Sequence, residues 1–182
     1  HGEKNERFLT EERELTVFRV KEGTLVEFAS RLKPTGGKIK LDGDPQHAGF
    51  QFRAHNDVAV QSAKRTFYLR PDGKGAPGTT RNWEPKSGKG PVDLPWYAMN
   101  FELGNQRFRV VYVNHPANPK ETRFSERDYG RFGGYFAREV TADEPLVVRY
   151  RLWLQDGEVD AERARRLHAA FAAGILEGQP VR

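Results

Sequence analysis

The segment from Leu146 to Leu154 most limits what this chain can fold into. Leu146, Val148, Tyr150, Leu152 and Leu154 alternate with Val147, Arg149, Arg151 and Trp153. On a strand, that period of two gives one core face and one largely polar face. The pattern recurs along the chain. Glu11 to Val20 and Thr24 to Leu32 both alternate, and Gly23 between them predicts a hairpin. His47 to His55, Thr66 to Leu69, Phe101, Phe108 to Val113 and Phe132 to Val140 supply further strands. Arg70 to Pro95 is rich in Gly, Pro and Lys and reads as a long exposed loop holding Trp83 and Glu84. Asp160 caps one amphipathic helix, with Ala164, Leu167, Phe171 and Ile175 on a single stripe. Eight or nine strands and one terminal helix predict an all-β fold, an antiparallel β-sandwich with one C-terminal α-helix, built as a single domain over residues 1–182.

Composition supports this and removes several function classes. Hydrophobic residues make up 37% and aromatics 12%, so large rings carry much of the core, which suits packed sheets. No apolar run approaches the length of a membrane-spanning helix, so no membrane span is expected. The absence of cysteine excludes disulfides and thiolate metal sites. The net charge of +5 comes from interspersed residues of both signs. Arg163, Arg165 and Arg166 cluster, but a solvated helix face explains them, so no nucleic-acid partner is expected.

Two polar segments carry the chemistry. If His47 to His55 is one strand, Ala48, Phe50, Phe52 and Ala54 face the core, while His47, Gln51, Arg53 and His55 share the other face. Two imidazoles, an amide and a guanidinium in a row suit a polyhydroxylated or anionic ligand. The plainer reading is a solvated sheet face. The second segment, His115 to Gly133, reads as a loop stiffened by Pro116 and Pro119. It packs Arg123, Glu126, Arg127, Asp128, Tyr129 and Arg131 into a short span, as either a site or a structural ion network. Trp83, Trp96, Tyr97 and Asn100 form a third group, read as a sugar-stacking platform or as core. A metal would need His47, His55 and His115 together. His1 followed by Gly could form a copper brace if it were the mature N-terminus. Neither a metal nor another cofactor is assigned.

The runs LDGDPQHAGFQFRAH, TFYLRPDGKGAPGTTRNWEP, NHPANPKETRFSERDYGRFGGYF and LVVRYRLWLQDGE resemble a soluble bacterial family common in planctomycetes. It carries the label methane oxygenase PmoA, or is left as a PmoA-like domain of unknown function. The resemblance covers nearly the whole chain. It implies that the chain matches the C-terminal part of longer members, whose N-terminal portion completes the fold. It also implies a supersandwich-like architecture similar to aldose epimerases and polysaccharide lyases, and a carbohydrate-related role. Its motif residues fall on His47, Arg53, His115, Asn118, Arg127, Asp128 and Tyr129.

The leading expectation is therefore a carbohydrate-related enzyme working by epimerase- or lyase-like proton transfer on a sugar or oligosaccharide. His47, His55, His115, Glu126, Asp128 and Tyr129 are its candidate catalytic groups. Gln51, Arg53, Trp83, Asn118, Arg123 and Arg127 are its candidate substrate-binding groups. The alternatives are a non-catalytic carbohydrate-binding sandwich and, following the family label, a copper-dependent oxygenase. A periplasmic or secreted location is favoured over a cytoplasmic one.

Overall fold

The alternating segments become strands because period-two alternation lets each bury one face while its backbone pairs sideways. A computed structural model of the chain describes residues 6–44, 47–157 and 160–176. In chain order the strands are β1 (Leu9–Val20), β2 (Gly23–Pro34), β3 (Lys38–Leu41), β4 (Phe50–Arg53), β5 (Phe67–Arg70), β6 (Gly73–Lys74) and β7 (Arg81–Asn82). They continue as β8 (Trp96–Leu103), β9 (Gln106–Asn114), β10 (Arg123–Arg127), β11 (Arg131–Tyr135), β12 (Arg138–Thr141) and β13 (Leu146–Asp156), followed by helix α1 (Ala161–Ala172). A seven-stranded sheet has the order β1-β2-β13-β9-β8-β5-β6, and a four-stranded sheet the order β4-β11-β10-β7. β12 and β3 form a separate ribbon. Every strand pair is antiparallel. The fold is an all-β sandwich closed by one C-terminal helix. Among the described residues no helix is long and apolar enough to cross a membrane.

The central strands of the large sheet are covered on both faces, which creates three layers, while β1 at its edge is mostly exposed. On one side Ala164, Leu167 and Phe171 of α1 pack on Leu25, Trp96, Val111, Val113 and Trp153. On the other, Tyr68, Tyr97, Met99, Tyr112, Tyr150 and Leu152 pack on Phe124 and Phe132, with Phe50 and Phe52 against them. The alternation of β13 is as expected, but its polar face is solvated only at Val147 and Arg149 and is buried at Arg151 and Trp153. Arg151 is buried under α1, pairs with Glu27 and lies 4.4 Å from the Phe171 ring. The Asp160 carboxylate accepts from Arg163 N at 2.7 Å and starts the helix. Ile175 is not on the packed stripe: α1 ends at Ala172, and Gly174 at φ +69° turns the chain away.

The two sheets are also tied by hydroxyls. Tyr68 donates to the carbonyl of Arg127 at 2.6 Å. Tyr97 Oη lies 3.1 Å from the Gly133 carbonyl and 3.2 Å from that of Ser125. Tyr112 donates to Phe50 O and accepts from Gly134 N, both at 3.3 Å. Burial holds all three phenols well above their ordinary pKa, so they remain donors.

Three expectations change here. The strand expected over His47 to His55 is only Phe50–Arg53, because Gly49 at φ +77° and a helical turn after His55 end it on either side. The loop expected over residues 115–133 contains most of the hairpin β10–β11. The long loop over Arg70 to Pro95 contributes two short strands, β6 and β7.

Removing the Tyr97 hydroxyl takes a donor away from two buried carbonyls. Tyr97→Phe is expected to lower unfolding free energy by about 1–2 kcal/mol, read from the urea midpoint at unchanged slope.

Candidate functional site

Parity within the small sheet decides which of its side chains can meet a ligand. Phe124 and Glu126 on β10, Phe132 on β11 and Phe50 and Phe52 on β4 point toward the large sheet. The intervening residues therefore share the outer face. In register, Arg53, Arg131 and Arg127 form one row across β4, β11 and β10. With strands about 4.8 Å apart, the row spans about 10 Å. The next row is Gln51, Gly133, Ser125 and Asn82. Tyr135 and Arg123 pair in the row beyond.

Gly133 makes the middle of this face low. A Cβ there would lie 2.2 Å from Phe50 O and 2.8 Å from the side-chain carbonyl carbon of Gln51. The Gln51 side chain occupies that space, and its Nε2 donates to Ala48 O at 2.9 Å. The turn Asp128-Tyr129-Gly130 sets the register that aligns Arg127 with Arg131. Gly130 takes φ +84°, and its N–H donates to Arg127 O at 3.0 Å.

This face carries polar atoms that are buried and lack any partner among the described residues. They are Oε1 of Gln51, Nε and Nη2 of both Arg127 and Arg131, and Oη of Tyr135. Buried polar atoms are nearly always bonded, so such a group on one face is unusual. Arg127 keeps one contact: the orientation of the Asn82 amide that satisfies both its ends accepts from Arg127 Nη1 at 3.2 Å and donates to Ser125 Oγ at 3.0 Å. Arg131 is only 7% exposed and lies 5.8 Å from the Tyr129 ring.

The structure thus brings Gln51, Arg53, Arg123, Arg127 and Tyr129 to one sheet or its hairpin turn, and adds Arg131, Tyr135, Ser125 and Asn82. Alternation through RFSER and RFGGY is the sequence signal for Ser125, Arg131 and Tyr135, though too short to stand out, and Asn82 lies outside both runs.

The other candidates do not join that face. His47 lies in an exposed turn, its Nδ1 3.1 Å from Asp44. His55 follows the end of β4 and accepts from Asp57 N at 3.2 Å. The two imidazoles therefore do not line one strand face with Gln51 and Arg53. His115 packs edge-on against Phe171 at 5.0 Å, on the helix side of the large sheet, two layers from the arginine row. Burial, then Arg149, lowers its pKa below the ordinary imidazole value. Asn118 is buried: it donates to Arg149 O at 2.7 Å and to Asn114 Oδ1 at 2.8 Å, and accepts from Arg149 N at 2.8 Å. It pins the 115–119 loop rather than offering itself to a ligand. Trp83 is not an open stacking platform either. It is buried, with the Arg123 guanidinium 3.9 Å from its ring. Trp96 lies in the core beneath α1. Asp128 accepts from Thr80 Oγ1 at 3.2 Å. Glu126 points inward and accepts from Arg70 at 2.6 Å. No His contacts Glu126 or Asp128 among the described residues, so neither orients an imidazole.

Among the described residues, no group of three or more His, Asp and Glu converges so as to hold a metal ion. His47, His55 and His115 belong to separate surroundings and do not fit a copper site. His1 lies outside the described residues.

A model described as a family of unknown function (DUF6807) matches residues 1–169. No curated protein and no solved structure matches the chain.

Burial raises the Glu126 carboxyl to about 7, even though Arg70 and then Arg81 oppose the rise. Its folded pKa thus exceeds its unfolded one, so the folded state holds the proton more tightly. This group then contributes most at low pH, and the contribution declines as pH rises through about 7. Relative to Glu126→Gln, the wild type is expected to gain roughly 2 kcal/mol between pH 7 and pH 5, measured by urea unfolding.

Proposed function

The chain belongs to DUF6807, a family of unknown function, and on that premise we propose that it is a carbohydrate-binding domain whose ligand lies on the outer face of the four-stranded sheet. One observation carries the reading: the unpartnered polar atoms of Gln51, Arg127, Arg131 and Tyr135 gather there around Gly133. An amide and a phenol offer both acceptor and donor, and guanidiniums offer directed donors. Adjacent sugar hydroxyls, each donor and acceptor, match that mixture. The resemblance to a family with a carbohydrate-related role supports sugar over other polyhydroxylated ligands.

Binding is favoured over proton transfer because four of the six candidate acids and bases lie away from this face, and only Asp128 and Tyr129 of the hairpin turn adjoin it. Glu126 is turned into the sandwich, His115 lies beyond the large sheet, and His47 and His55 are engaged with neighbouring turns. A general base must reach the proton it removes, and none of these lines the row.

Calorimetry against a panel of neutral and uronate-containing oligosaccharides tests this. Binding by at least one class is expected, weakened about tenfold or more in Gln51→Ala and Arg127→Ala. His47→Ala and His115→Ala should leave it unchanged. Loss in the histidine variants alone would move the site elsewhere.

A further inference from the structure

The unpartnered atoms of the two central arginines are the same pair. In Arg127 and in Arg131 they are Nε and Nη2. These two donors lie along one edge of a guanidinium and match both oxygens of a carboxylate or phosphate. Resting on the reading of this face as a ligand site, we infer that Arg131 and Arg127, with Arg53 at the rim, form an oxyanion subsite. It would take the carboxylate of an acidic sugar.

Three facts lead there. First, Arg131 is more than nine-tenths buried, yet its Nε and Nη2 have no hydrogen-bond partner among the described residues. A guanidinium keeps its charge under any ordinary condition, so its burial is costly without an opposite charge. Second, Arg53, Arg131 and Arg127 are register neighbours, so their like charges add to that cost. Third, the carboxylates near this face have other partners: Glu126 has Arg70, Glu121 has Arg123, Asp42 has Lys40 and Asp44 has His47, while Asp128 accepts from Thr80. A ligand oxyanion would supply the missing charge. Arg53 is exposed and Tyr129 half-buried, so these two side chains would move aside to admit it.

The shape of the face sets the rest of the ligand. Beyond the arginine row lie Gln51, Gly133 and Ser125, low and hydrogen-bonding. A pyranose ring carried by the oxyanion would meet the Gln51 side chain, which lies over Gly133 and would turn its Oε1 to a hydroxyl.

The test compares a uronate oligosaccharide, its carboxyl-reduced neutral counterpart, a sugar phosphate and inorganic phosphate, by calorimetry on the whole chain. The wild type is expected to bind the uronate at least tenfold more tightly than the neutral counterpart. Arg131→Gln and Arg131→Lys should each erase that preference, the second because it keeps charge but loses the fork. Binding of the neutral counterpart should be unchanged in both. Ligand-free Arg131→Gln should melt no lower than wild type, since it removes an unpaired buried cation. If it fails to fold, Arg127→Gln carries the same comparison. Preference for the sugar phosphate would keep the subsite and make phosphate its anion. Equal binding of the uronate and neutral forms would overturn the subsite and leave the sugar reading standing. No binding by any probe would overturn both.

Discussion

Three tyrosine hydroxyls hold the small sheet in position, and the geometry of the candidate site follows from them. Tyr68, Tyr97 and Tyr112 rise from three strands of the large sheet and bond backbone groups of β10, β11 and β4. A backbone partner cannot rotate away as a side chain can. These bonds therefore fix strand position as well as the separation of layers. They also satisfy phenols that would otherwise be buried without partners, a cost of a few kcal/mol each. Aromatic edges then fill the space between: Tyr97 meets Phe132 at 4.6 Å and Phe124 at 5.2 Å, both edge-on.

Once Phe124, Phe132 and Phe52 are committed inward, the remaining side chains have no choice of face. Arg127, Arg131 and Arg53 must point outward together, because Arg131 and Arg53 are each next to an inward ring and Arg127 lies three residues along β10 from Phe124. Gly130 completes the arrangement. Its positive φ lets a three-residue turn join β10 to β11 so that Arg127 and Arg131 are direct partners. A side chain there would also strike Val58 and Ala54, at 3.0 and 3.1 Å. The glycine thus serves both the turn and the approach of the helical segment beside it.

Much of this was legible in the sequence. The long alternations of β2 and β13 showed which residues share a face, but that of β1 misled: Leu15 and Val17 are more than half exposed, and Phe18 and Val20 of the opposite parity join the core beneath α1. The polar density of residues 47–55 and 115–131 also pointed to the region where Gln51, Arg53, Arg123 and Arg127 meet. What failed was the reading of short strands. β4 has four residues and β10 and β11 five each, too few for alternation to stand out from a charged loop. Arg131 was therefore counted as part of a network rather than as the centre of a row. Asn118 and Trp83 misled for a different reason. A buried amide that braces a loop and a buried indole under an arginine have the same composition as a sugar site, and only contacts separate them.

The unpaired charge on the outer face is a consequence of the same parity. Glu126 is the nearest carboxylate along β10 to Arg127, but adjacent residues on a strand face opposite ways. Glu126 therefore meets Arg70 inside, while Arg127 and Arg131 face out. Slipping β10 by one residue would bring Glu126 to the face of Arg131, but would also turn Phe124 to solvent. Losing the burial of a phenyl ring costs about 1.5–3 kcal/mol, more than an exposed ion pair returns. The sheet thus cannot neutralise its own arginine row without giving up its core. The hydrophobic commitment that holds the sandwich closed also keeps the outer row cationic, leaving its neutralisation to a group from outside the sheet.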